Sequence, residues 1–191
     1  MTAAASNQRN RIHPHKFTLW VAMASICMMF AGLTSAYIVK KNQSNWLEFD
    51  LPVVFYYSTI VILISSLTMH LAVKAIKARE RSRYKNFMLF TAALGVVFGY
   101  LQWTGFANLK NHGIQLLGNG SNPAASFLVV IIGLHVLHVL GGIIALLITT
   151  IRAFRTGTKV YTSTPVEIVA TYWHFVDLLW IYLFIFLNWI K

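Results

Sequence analysis

The stretch ASFLVVIIGLHVLHVLGGIIALLITTI, residues 125–151, contains no Lys, Arg, Asp or Glu. A helix of 27 residues would be about 40 Å long, which exceeds the hydrocarbon thickness of a bilayer. A membrane β-strand would instead alternate apolar and polar residues over about 10 positions. Because the stretch lacks that alternation, it predicts a helix that spans a membrane.

Four other stretches of the chain have the same character and are separated by short polar connections. They are residues 17–39, 52–73, 87–109 and 166–190. Apolar residues make up 57% of the chain and charged residues only 11%, whereas about a quarter of a soluble domain is charged. This composition excludes a disordered chain and a water-soluble globule. We therefore predict an all-α integral membrane bundle of five transmembrane helices, forming a single domain over residues 1–191.

The charge of the chain is strongly positive, with 16 Lys and Arg against 5 Asp and Glu. These basic residues lie between apolar runs, which favours contact with anionic lipid over nucleic acid. Twelve of them would lie on the side of the N-terminus: Arg9, Arg11, Lys16, Lys74, Lys77, Arg79, Arg81, Arg83, Lys85, Arg152, Arg155 and Lys159. The other four would lie on the opposite side: Lys40, Lys41, Lys110 and Lys191. The positive-inside rule then predicts an N-terminus inside and a C-terminus outside.

Ionisable side chains within the spans are the candidate functional residues, because such groups are costly in a bilayer and usually face a partner in the protein interior. They are His70, His135, His138, Glu167, His174 and Asp177. Helical spacing places His135 and His138 on one face of the fourth span. It places Glu167, His174 and Asp177 on one stripe of the fifth span. Two sets of pairs are open: Asp177 with His135 or His138, and Glu167 with His70 or His174.

A metal or haem site is one interpretation of this cluster, and hydrogen-bonded packing or lipid contact is the other. Helical di-metal sites use Glu-x-x-His on two helices, whereas this chain has His-x-x-His and His-x-x-Asp. We therefore expect no metal or haem on the chain and no active site of its own. Gly133, Gly141 and Gly142 are predicted positions of close helix packing.

Two further histidines, His13 and His15, precede the first span on the side predicted to be inside. The ordinary histidine pKa of about 6.5 allows such groups to accept and release protons near neutral pH. They are candidates for a proton-collecting surface, and the alternative is that both are ordinary interfacial side chains.

Four motifs resemble one family. Residues 172–177, YWHFVD, with Glu167 before them and Trp180 after them, are similar to the signature of subunit III of the haem–copper respiratory oxidases. Residues 133–142, GLHVLHVLGG, 65–70, SSLTMH, and 30–37, FAGLTSAY, resemble further segments of the same family in the same order. The chain resembles the five-helix bacterial form of the subunit.

The resemblance implies a non-catalytic subunit III of a proton-pumping terminal oxidase, with cytochrome c or quinol as donor, in aerobic electron transport. It implies docking on subunit I, association with subunit II, a role in stability and proton uptake, bound phospholipid, and location in the bacterial inner membrane. Haem and copper would reside in partner subunits. Two departures concern carboxylates: this chain has Ser25-Ile26 where the family usually has Ser-Glu, and QWTG at 102–105 where it commonly has Gln-x-x-Glu.

Two other functions stay open at this point. One is a membrane cytochrome that binds haem b through histidines in the spans. The other is a small proton-coupled transporter that uses Asp177.

Overall fold

A computed structural model describes residues 14–41, 51–111, 123–155 and 163–190. Nearly all of these residues lie in five helices: α1 Pro14–Lys41, α2 Val54–Lys77, α3 Arg81–Asn111, α4 Pro123–Arg155 and α5 Thr164–Trp189. All five are long and apolar enough to cross a membrane. The predicted five-helix membrane fold is confirmed.

The helices extend beyond several of the predicted spans. The helix α2 continues to Lys77, and α3 begins at Arg81, although the apolar runs had placed these boundaries at residues 73 and 87. The difference arises because basic residues at the ends of the runs are themselves helical. Lys and Arg are good helix formers, and hydropathy marks only the part of a helix that lies in hydrocarbon.

A three-residue turn joins α2 to α3. Arg79 has a φ of 60°, and the Glu80 amide donates to the Ala75 carbonyl at 3.0 Å. This is the geometry of a Schellman motif, in which a left-handed residue closes the helix. The short turn makes α2 and α3 antiparallel neighbours, and these two helices share the most extensive interface of the described structure.

Helix α5 packs against α1, α2 and α4, while α3 also packs against α4. Within the described residues, α1 packs against α4 and α5 only. One end of the bundle brings together the starts of α1, α3 and α5 with the ends of α2 and α4, and we call it the basic end because Lys16, Lys77 and Arg81 lie there.

Two tryptophans of α5, Trp173 and Trp180, form the centre of the core, and each is 1% exposed. An ideal Cβ added to Gly95 of α3 would lie 2.8 Å from Trp173 Cη2. A Cβ added to Gly142 of α4 would lie 3.1 Å from two atoms of the same ring. The indole therefore occupies space that only glycine leaves open on two neighbouring helices.

Candidate functional site

The two core tryptophans bind α5 to α2 through their ring nitrogens. Trp173 Nε1 donates to Ser65 Oγ at 3.1 Å, and Trp180 Nε1 donates to Thr59 Oγ1 at 3.0 Å. An unpaired polar group within a membrane protein is costly, so these bonds satisfy the indole N–H groups and fix the register of the two helices.

Hydroxyl and amide groups join α2 to α3 in the same way. Thr68 Oγ1 and Thr91 Oγ1 are 2.9 Å apart, and Gln102 Nε2 donates to Ser58 Oγ at 3.0 Å. All four side chains are buried. The sequence interpretation missed this set, although the seven-residue spacing of Ser58 and Ser65 puts both hydroxyls on one face of α2.

The two histidines of α4 have different surroundings. His135 is fully buried, and its ring centroid lies 5.2 Å from that of Trp180. Neither of its ring nitrogens has a hydrogen-bond partner among the described residues. His138 is half-buried, and its Nδ1 donates to the carbonyl of Leu134 at 2.7 Å. One histidine is therefore packed between rings, and the other is bonded to its own helix.

Asp177 is 3% exposed, and its two carboxyl oxygens make no hydrogen bond with the described part of the chain. The expected pair with His135 or His138 is therefore wrong. The physical reason is that His138 bonds to the Leu134 carbonyl of its own helix, while His135 is enclosed by aromatic rings. On α2, the Ser66 hydroxyl lies 2.7 Å from Nδ1 of His174.

Glu167 binds two lysines at the basic end. Its carboxylate lies 3.1 Å from Lys16 Nζ of α1 and 3.3 Å from Lys77 Nζ of α2. The expected pair with His70 or His174 is replaced by these contacts, because the lysines at the helix ends reach the first turn of α5. One carboxylate thus connects three helices, with one positive charge in excess.

A groove of about 380 Å³ opens beside this ion pair, between α1, α2 and α5. Its polar lining consists of Lys16, His70, Lys77, Glu167, Thr171 and His174. Trp20, Leu19, Val73 and Ile168 supply apolar walls. His70 is exposed. The sequence-predicted residues therefore divide into a group at the groove (His70, Glu167 and His174), Asp177 beyond it, and His135 with His138 on α4.

Across the described ranges, no group of three or more His, Cys, Asp and Glu side chains could hold a metal ion. His174 already engages Ser66 through Nδ1, and His135 is enclosed by aromatic rings. Of the two predicted proton-collecting residues, His15 lies in the first turn of α1, and His13 lies outside the described residues.

These features define the class: a multi-pass α-helical membrane protein whose buried polar side chains connect its own helices. The family model described as cytochrome c oxidase subunit III matches residues 44–191, which include all of α2 to α5. The chain belongs to this family, and the resemblance seen in its motifs is confirmed.

Curated relatives extend the match to α1. The chain is 31% identical over 179 residues to the probable cytochrome c oxidase subunit 3 of Mycobacterium bovis, covering 90% of this chain and 85% of that protein. It is 27% identical to cytochrome c oxidase subunit 3 of Bacillus sp. strain PS3, with coverage of 86% and 80%. It is also 27% identical to the probable quinol oxidase subunit 3 of Staphylococcus saprophyticus, with coverage of 89% and 86%.

Proposed function

We propose that the chain acts as a non-catalytic subunit of a proton-pumping haem–copper terminal oxidase in aerobic electron transport, where it stabilises subunit I and supports proton uptake. Subunits I and II would be its partners and would hold the haem and copper. The observation that carries the proposal is that the side chains of the family signature contact other helices of the same chain. Trp173, His174 and Trp180 form hydrogen bonds within the chain, which is the chemistry of a scaffold.

A scaffold role also accounts for the outer surface of the bundle. Large apolar side chains are exposed on all five helices, among them Trp20, Leu67, Trp103, Leu137 and Leu178. In a bilayer such surfaces contact lipid tails or the helices of a partner subunit. We expect the bacterial plasma membrane as the location, with the N-terminus and the basic end inside.

The groove at the basic end supports the proposed phospholipid contact. Lys16 and Lys77 exceed the single negative charge of Glu167, and apolar walls continue from the charged rim. An anionic headgroup would satisfy the excess charge while its tails stay in hydrocarbon. Native mass spectrometry of the complex with added phosphatidylglycerol should give more bound lipid than with phosphatidylcholine. The variant Lys77→Gln should remove that preference.

Support of proton uptake is assigned to His13 and His15, which precede the first membrane span. Turnover against pH in the assembled enzyme tests this role with the double variant His13→Gln and His15→Gln. Activity should fall at a lower pH than in the parent, because proton supply becomes limiting earlier as pH rises. An unchanged pH profile, with the subunit still bound, would remove these histidines from the proposal.

Deletion of the chain tests the function as a whole. The oxidase purified without it should retain oxygen reduction, but it should lose activity faster on warming, and its turnover should decline at lower pH. The matched sample is the same strain complemented with the parent chain. Equal thermal stability and equal pH dependence in the two samples would contradict the proposal, and complete loss of oxygen reduction per haem would contradict a non-catalytic role.

A further inference from the structure

The start of α1 and the end of α2 lie on opposite sides of the groove at the basic end. Within the described residues, α1 packs against α4 and α5 but not against α2, although side chains of both α1 and α2 line the groove. Two turns of α5, from Glu167 to His174, lie between them. At this end of the bundle, α1 and α2 are therefore connected through α5.

A single carboxylate of α5 makes that connection. Glu167 Oε2 lies 3.1 Å from Lys16 Nζ of α1, and Glu167 Oε1 lies 3.3 Å from Lys77 Nζ of α2. The lysine side chains are 41% and 59% exposed, so water and salt weaken these ion pairs. Because an ammonium group has three donors, each lysine can bind a second anion while it contacts Glu167.

The groove becomes apolar one turn further into the bundle. Trp20 of α1 and Val73 of α2 line it there. Two polar side chains deeper in the groove already have partners: the Thr171 hydroxyl donates to the Glu167 carbonyl at 2.8 Å, and His174 Nδ1 lies 2.7 Å from a serine hydroxyl of α2. A ligand that fits is therefore anionic at one end and apolar at the other, as an anionic phospholipid is.

We propose that one anionic phospholipid in this groove joins α1 to α2, with its phosphate between Lys16 and Lys77 and an acyl chain along the apolar walls. The lipid thereby determines how firmly the start of α1 is held on the bundle. This inference rests on the phospholipid contact of the proposed function and adds a consequence for the position of α1. Lipid binding and the retention of α1 are measured separately, so the two can fail separately.

The low burial of α1 makes it the helix that responds most to such a ligand. Its apolar segment has the smallest buried share among the five helices of the described structure. Trp20, near the start of α1, is 64% exposed. A bridge from α1 to α2 therefore adds an attachment where the contacts of α1 within the chain are few.

Amide hydrogen exchange of the intact oxidase complex in lipid nanodiscs tests the inference. Exchange in the first half of α1 should be slower with phosphatidylglycerol than with phosphatidylcholine alone. The expected difference is about fivefold, which is roughly the contribution of one lysine at an anionic membrane surface. Exchange in α5 should not change, since its tryptophans bond directly to α2. In Lys77→Gln, α1 should exchange at the same rate in the two lipids.

Lys74→Gln is the matched control. It removes the same charge one turn earlier on α2, and Lys74 is not among the residues that line the groove. This variant should keep the full difference between the two lipids. Glu167→Gln separates the lipid from the ion pairs, because both lysines remain available to a phosphate. Phosphatidylglycerol should still slow α1 exchange in that variant, and loss of the lipid effect there would overturn the bridge.

Three further outcomes would contradict the inference. Equal α1 exchange in the two lipids, in complexes shown by native mass spectrometry to bind phosphatidylglycerol, would overturn the bridge and leave the phospholipid contact standing. Complexes without a preference for phosphatidylglycerol would contradict the contact itself. An undiminished lipid effect in Lys77→Gln, or equal slowing by inorganic phosphate in phosphatidylcholine discs, would assign the effect to another site or to a free anion.

Discussion

The first and last helices have similar hydropathy and very different attachments. Both helices are apolar enough to cross a membrane, yet 17% of the 18-residue apolar segment of α1 is buried against 39% of the corresponding segment of α5. In the part of the chain that the structure describes, α5 packs against three helices, whereas α1 packs against two. Apolar character therefore predicts that a helix crosses the membrane, and the polar and aromatic residues of its interfaces decide how it is held there.

The attachments themselves differ in kind. The α5 helix is fixed along its length by the two tryptophan hydrogen bonds to α2 and by the glycine-lined contacts of Trp173. In the middle of α1, Phe30 packs edge-to-face against both histidines of α4. Polar contacts of α1 with α5 include Lys16 with Glu167 and Thr34 with Tyr182. The comparison predicts a firmly held α5 and a more easily released α1.

The largest expected effect separates a tryptophan of α5 from one of α1. Trp173→Ala should lower the free energy of unfolding by about 3 kcal/mol, because it leaves a cavity and removes the hydrogen bond from the indole to Ser65. Trp20→Ala on α1 should change it by less than about 0.5 kcal/mol, since Trp20 is 64% exposed. Denaturant titration of both variants in detergent micelles measures the difference. Equal losses would contradict the assignment of the core to α5.

Two glycines of α3 test the packing of Trp173 with smaller substitutions. Gly95→Ala should destabilise the protein by about 1–3 kcal/mol, because the new methyl group meets the Trp173 ring. Gly99→Ala is the control, since nothing lies within 4 Å of a Cβ at that position, and it should be neutral or stabilising by up to about 1 kcal/mol. Thermal unfolding of the two variants should rank them in this order, and the reverse order would refute the packing of Trp173 against α3.

Thr34→Val tests the attachment of the second half of α1 to α5. The variant removes the 3.0 Å contact between Thr34 Oγ1 and Tyr182, and interhelical hydrogen bonds in membranes contribute about 0.6 kcal/mol on average. Amide exchange in α1 should accelerate while that of α5 stays unchanged. Thr150→Val is the control, because the hydroxyl of this buried threonine bonds to its own helix at Leu146. Faster exchange throughout the bundle would show that α1 is not released separately.

The smallest effect is expected at the ion pair of the basic end. A double-mutant cycle with Lys16→Gln and Glu167→Gln should give a coupling of about 0.2–1 kcal/mol, because the lysine and glutamate side chains are 41% and 25% exposed. The coupling should weaken as salt is raised. A coupling that does not respond to salt would contradict an ion pair open to solvent.

The sequence predicted the helices well because a span of more than 20 apolar residues has few other structures available in a bilayer. It also predicted Gly142 as a packing position, but Gly133 meets open space, and Gly95 was missed. Apolar runs do not reveal which glycine faces an indole. Which glycine faces the indole depends on how three helices are rotated about their axes, and no local stretch of the sequence determines these rotations.

The candidate site was predicted in its residue types but not in its pairs. Lys16 and Lys77 were counted only as loop charges, so their contacts with Glu167 were not predicted. Long side chains at helix ends extend along the interface and can reach such a partner. The depth of Asp177 relative to the α4 histidines suggested a pair, but its carboxyl oxygens make no hydrogen bond with the described residues. Ser66 was the missed partner of His174, because a serine in an apolar span commonly bonds its own helix and carries little signal.

Purification through a tag on the chain itself tests whether the chain is a scaffold subunit of a haem–copper oxidase. Under mild detergent the tagged chain should carry the catalytic subunits with it, with haem and copper in stoichiometric amounts and oxygen reduction intact. After dissociation of the complex, the metals and haem should remain with the other subunits. Recovery of the intact chain without any oxidase subunit, or with the haem bound to the separated chain, would contradict the account.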